Sequence, residues 1–231
     1  VVEGGQPGLW RPGGSRLMLH HRLRAMPKTF ELEYVQNLAA GSTSPATLSA
    51  TPQAGDLLIY LASDLSSGVF VADPTNVVPS GFTEVCTHAE GVGTNSYGGR
   101  STIAYKIADG TESSLSGMNY WAIEQFRATR AIGSVSVIDS DGRWATGNPA
   151  AVTLDSPGAL PALAVGVGRA WGGDLSFTFS VSGETTTNLT NLSTVKHRYI
   201  LYGASGNTLS ADIGDTGEIQ GYSAAVLTVS P

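Results

Sequence analysis

A chain of 231 residues with 41% hydrophobic content is long enough for one large β unit with its own core, and it contains no run of about 18 apolar residues that could span a membrane as a helix. Charged residues make up only 14%, against about 25% in an average globular chain; 29 glycines and abundant Ser and Thr take their place, which disfavours a helical bundle and favours short strands joined by tight turns. The net charge of -6 and the single cysteine argue against a bulk phosphate-binding surface and against a disulfide framework.

The first segment departs from that composition. Residues 10–28, "WRPGGSRLMLHHRLRAMPK", belong to a leader carrying Arg11, Arg16, Arg22, Arg24 and Lys28, in which the only acidic residue is Glu3. Gly13, Gly14 and Pro27 confine any helix there to about three turns, marginal on its own. Residues 51–231 hold eight Lys and Arg and about twice as many acids, so they would repel a nucleic-acid backbone. The leader suits an acidic protein surface instead. Trp10, Leu19 and Leu23 supply apolar anchors among Arg11, Arg16, Arg22 and Arg24, whose guanidinium groups form bidentate pairs with carboxylates. Residues 29–50 begin with a short strand, Phe30 to Val35, and continue as a Ser, Thr and Ala connector. Residues 1–50 are therefore expected to form an anchoring arm and connector.

From residue 51 the pattern becomes that of strands. "GDLLIYLASD" is a continuous apolar run bounded by turn residues, the pattern of a strand buried on both faces. "SGVFVAD", "FTEVCTHAE", "RSTIAYKIADG", "MNYWAIEQFRA", "GSVSVIDSDG", "AVTLD", "LPALAVGVGRAW", "DLSFTFSV", "VKHRYILYGA" and "YSAAVLTV" follow, separated by Gly, Asp, Asn, Pro and Ser. Some ten short strands at this spacing predict an all-β fold, an antiparallel β-sandwich of jelly-roll type over residues 51–231. Alternation puts Ile103, Tyr105 and Ile107 on one face and Thr102, Ala104 and Lys106 on the other. Asp109-Gly110 should close a hairpin, "GVGTNSYGG" should be a hairpin loop, and an outward Lys106 should discourage sheet-to-sheet association.

Signatures of catalysis, metal binding and nucleotide binding do not emerge, so no catalytic residue, metal or cofactor is expected. Cys86 lies in a predicted strand and reads as a small buried hydrophobe. "DSDGRW" places Asp139 and Asp141 on a turn ending in Gly142, and hairpin chemistry explains it better than calcium binding. Tyr97, Trp144 and Trp171 fall in or beside predicted loops, where a sugar-binding sandwich displays its stacking platforms.

Several of these stretches together resemble a known domain. Gly55-Asp56-Leu57-Leu58-Ile59 opens a strand, Pro79-Ser80-Gly81-Phe82-Thr83 makes a turn, and Ala104-Tyr105-Lys106-Ile107-Ala108-Asp109-Gly110 follows. Phe126-Arg127-Ala128 and Leu160-Pro161-Ala162-Leu163-Ala164-Val165 complete the series. In this order, over residues 54–168, they resemble the β-sandwich domain of tailed-phage structural proteins found in tail fibres, spikes and head appendages. Phe82 stands where that pattern usually has Trp and keeps an aromatic plug at the turn. The resemblance implies a virion component. The arm would dock on other virion proteins and the sandwich would face outward, assembling as a homo-oligomer, with a trimer favoured by the extended leader. A host surface glycan is a candidate ligand of Tyr97, Trp144 and Trp171. The alternative function is a lectin-like carbohydrate-binding module.

Overall fold

The structure, a computed structural model, describes residues 29–42, 45–67, 78–92, 97–116, 121–146, 152–155, 157, 161–170, 177–180, 184–192, 195–202, 209–213 and 219–231. The described residues contain no helix. Their strands in chain order are β1 (Leu32–Gly41), β2 (Ala46–Thr47), β3 (Leu57–Ser67), β4 (Thr83–Val92), β5 (Tyr97–Ile107), β6 (Ser114–Leu115), β7 (Trp121–Ala128) and β8 (Ser134–Thr146). After these come β9 (Val152–Leu154), β10 (Ala162–Ala170), β11 (Phe177–Ser180), β12 (Glu184–Leu192), β13 (Val195–Tyr202), β14 (Leu209–Ile213) and β15 (Ile219–Ser230).

Two five-stranded antiparallel sheets dominate. The first has the order β1-β7-β3-β5-β4 and the second β12-β13-β10-β15-β8. They face one another in the manner of a β-sandwich across a core built by strand alternation. Leu57, Ile59, Leu61, Ile103 and Phe126 point inward from the first sheet against Leu163, Val165, Val167, Ala225, Leu227 and Val229 of the second. Burying each Leu or Ile side chain contributes about 1.5–3 kcal/mol, so this layer is the main source of stability.

The outer face of the first sheet is also covered. Leu58, Tyr60, Ala62, Ala104, Trp121 and Ile123 pack with Leu38 and Leu48 beneath the two-stranded β2-β6 sheet, and Phe82 adds its ring there. On the second sheet, Ala162, Ala164, Ala224 and Val226 have the opposite parity to the inner residues and are likewise buried. A three-stranded sheet, β11-β14-β9, runs beside β13, β15 and β8, with Val152 and Leu154 buried. "GDLLIYLASD" is thus unbroken in its apolar run from Leu57 to Ala62 because both of its faces are covered, within an antiparallel sheet.

Four expectations change. First, β1 extends to Gly41 and pairs with β7 from Leu32↔Ala128 to Gly41↔Trp121, so residues expected to form a connector belong to the sandwich. Second, "DSDGRW" lies within β8, paired with β15 through Asp139↔Val226 and Gly142↔Ser223; the ladder of this thirteen-residue strand overrides a local Asp-Gly turn signal. Third, Gly110 (φ +86°) does turn the chain after β5, but it leads to β6, which pairs with β2. Fourth, Lys106 lies on the inner strand β5 and is tied up in ion pairs, so it guards no free edge. The alternation of β5 is as expected: Ile103, Tyr105 and Ile107 face the inter-sheet core while Ala104 faces the outer one. β4 and β5 form a hairpin up to Val92↔Tyr97.

Candidate functional site

The arm residues Trp10, Arg11, Arg16, Leu19, Arg22, Leu23 and Arg24 lie outside the described residues, as does Trp171. Tyr97 opens β5, opposite Val92, and its side chain is likewise outside them.

The residues that carried the family resemblance do framework work. Asp56 is buried and takes two hydrogen bonds from Arg127, at 2.7 and 2.8 Å, one from the Gln53 amide at 2.8 Å, and one from Gln125. Burial pushes the Asp56 carboxyl up, but the bonds from Arg127, Gln125 and Gln53 outweigh it and hold the group below its usual value. Glu112 accepts from the amides of Asp109 and Gly110 and pairs with Lys106 at 2.6 Å, fixing the turn after β5. Gly81 takes φ +82°, and Phe82 meets Tyr60 edge to face at 6.1 Å. That plug closes the outer core of the first sheet and does not enter the space between the sheets.

Trp144 is 4% exposed and cannot be a surface platform for a sugar. Its ring lies between the two sheets, against Gly99 of β5 and Gly221 of β15, where a Cβ on either glycine would overlap it. Its Nε1 donates to Ser101 Oγ at 3.3 Å, and Ser101 Oγ is 2.6 Å from Ser223 Oγ. The aromatic is a wedge joining the sheets, and the glycines are the space made for it.

Trp144 belongs to a polar seam on one side of the molecule. There β4 and β8, each at one end of its sheet's strand order, pack against each other. Cys86 of β4 is buried and lies near Ser140 of β8. Burial first, and then the charge of Glu84, push its thiol up to about 12, so it is a poor nucleophile near neutrality. His88 of β4 packs on β8 at Gly142, where a Cβ would come within 2.5 Å of the imidazole. Burial lowers the His88 pKa; Asp141 opposes the shift and Arg143 adds to it. The described residues include no group of three or more His, Cys, Asp or Glu that could hold a metal.

The outer rim of β8 is the other notable surface. Val137 and Ile138 are 43% and 40% exposed, beside the bulge opposite Val226 and Leu227. Next to them, Asp139 accepts from the amides of Ser140 and Asp155, each at 2.8 Å, and Asp141 accepts from the Gly142 amide at 2.7 Å. Arg143 pairs with Asp141 and donates to the Gly142 carbonyl at 2.8 Å. The carboxylates thereby occupy backbone donors of this terminal strand and blunt it against strand addition. This explains the "DSDGR" run without calcium.

Both His88 and the Val137-Ile138 pair have a signal in the sequence. Cys86 and His88 are two apart in a strand, so a core-facing Cys86 brings His88 to the same face. In "SVSVIDSD" the adjacent Val137 and Ile138 break the alternation, as a bulge does. No protein-family model, curated protein or solved structure matches the chain. No helix among the described residues is long and apolar enough to cross a membrane.

Proposed function

We propose that this chain is a structural component of a tailed-phage virion, a fibre, spike or head-appendage subunit of jelly-roll type. Its basic arm docks on other virion proteins and its sandwich faces outward. The observation that carries this reading is the ordered series of residues resembling phage structural domains. Asp56, Phe82, Lys106, Asp109-Gly110 and Arg127 all take part in ion pairs, ring packing or turns that hold the sheets in place. A motif made of framework residues sets the shape of the domain, which suits a display scaffold more than a reaction centre.

In this reading Arg11, Arg16, Arg22 and Arg24 pair with carboxylates of the neighbouring protein, and Trp10, Leu19 and Leu23 fill its apolar pockets. The subunit assembles as a homotrimer. Any host-glycan contact falls to Tyr97 and Trp171, because Trp144 is committed to the core. Cross-linking mass spectrometry on intact particles tests the proposal. Links from the arm to other virion proteins are expected, and absence of the chain from purified particles would overturn it. A monomeric mass by light scattering for the intact protein would remove the trimer.

A further inference from the structure

The ends of the two sheets meet at the β4-β8 seam, where Val85 of β4 and Val135 of β8 also pack on the inter-sheet core. Cys86 meets Ser140, the His88 ring lies on Gly142, and Ser101 meets Ser223 further in. Within this set the buried His88 Nε2 has no hydrogen-bond partner. A neutral imidazole can leave Nε2 as an unused acceptor, at a moderate cost. An imidazolium cannot, because both nitrogens then carry protons and the ring carries a charge.

The titratable and charged groups around it come from three strands. β4 contributes Glu84 and Cys86, β8 contributes Asp141 and Arg143, and β5 contributes Arg100 beside Ser101, which is opposite His88 in register. Asp141 is the one group acting to favour the imidazolium, and it is already engaged by Arg143 and the Gly142 amide.

We infer that His88 is an acid-sensitive latch on the β4-β8 seam: neutral, it packs on Gly142 and helps to hold the two sheet edges together; protonated, it places a buried cation with an unpartnered Nε2–H between them and the edges part. The lowered pKa sets the direction. Because the folded state binds this proton less readily than the unfolded chain, the latch is fully effective above about pH 6.5 and is lost as pH falls from there through the folded value. Opening would free two strand edges on one side of the sandwich while leaving the β3-β10-β15 core intact.

Hydrogen exchange on the full chain tests this at pH 7.5 and 5.5, with rates corrected for intrinsic chemistry. Protection of amides in residues 83–92 and 134–146 should fall by up to about tenfold at pH 5.5, while amides of β3 and β7 hold theirs. His88→Phe keeps a flat ring and cannot protonate, so it should abolish the fall. A seam in the unaltered protein that does not respond to pH, or an equal fall in His88→Phe, would overturn the inference. If that variant does not fold, an NMR titration of His88 in the unaltered protein decides: a value below 6.5 supports the latch and one at or above 6.5 refutes it.

Discussion

Asp56 and Arg127 are 71 positions apart, yet the guanidinium Nε and Nη2 donate to the two carboxylate oxygens at 2.7 and 2.8 Å. The pair ties the start of β3 to the end of β7, next to the Leu57↔Phe126 rung of the ladder. Removing either partner leaves the other without its counter-charge, and Asp56 is nearly completely buried. Asp56→Ala should therefore cost about 2–3 kcal/mol in urea unfolding, below the full value for a deeply buried pair because Arg127 is one-third exposed.

The same carboxylate sets an acid limit. Its folded pKa is depressed, so its contribution is complete above about pH 3.8 and is lost as pH falls toward the folded value. A thermal unfolding series from pH 5 to pH 3 should show the loss in the unaltered protein and a flatter dependence in Asp56→Asn. Equal slopes would assign the acid response to other groups.

Trp144 and Gly221 give a packing test. Gly221→Ala puts a methyl group where the indole lies, and the ring is hemmed in on its other side by Gly99. The expected loss is about 3 kcal/mol, at the upper end for overpacking because no flexible side chain can yield. Trp144→Ala should cost about as much through the void it leaves. Any loss of glycan binding in Trp144→Ala should then track unfolding, which circular dichroism on the same samples would reveal.

How much of this was legible in the sequence varied with the source of the signal. Alternation worked wherever a strand has two distinct environments: Ile103, Tyr105 and Ile107 separate cleanly from Ala104. It failed where tertiary pairing overrode local chemistry. "DSDGRW" has hairpin composition but is held extended by β15, and Glu184–Leu192 forms β12 although its Thr-rich sequence has no apolar alternation to mark a buried face. The strand signal of β1 ends at Val35 because Asn37, Ala39 and Ala40 carry little of it, yet the β7 ladder carries the strand on to Gly41. Trp144 looked like a loop aromatic only because Asp141-Gly142 looked like a turn.

The rim of β8 should control self-association. Asp139→Ala with Asp141→Ala frees the Ser140, Gly142 and Asp155 amides, leaves Arg143 without its Asp141 partner, and removes two charges beside the exposed Val137 and Ile138. Concentration-dependent growth in mass by light scattering is expected, at temperatures well below the modestly lowered melting point. Adding Ile138→Lys should suppress that growth. Unchanged mass in the double variant would mean that the carboxylates are not what keeps this strand from adding to another.

The most direct test of the central proposal is particle incorporation of a chain lacking residues 1–28, measured by quantitative mass spectrometry of purified virions. β1 and its ladder with β7 begin beyond the deletion, so the truncated chain should fold and remain soluble. The expected result is a folded sandwich excluded from particles, with Arg22→Glu and Arg24→Glu in the full chain giving partial exclusion. Normal incorporation of the truncated chain would contradict docking through the basic arm.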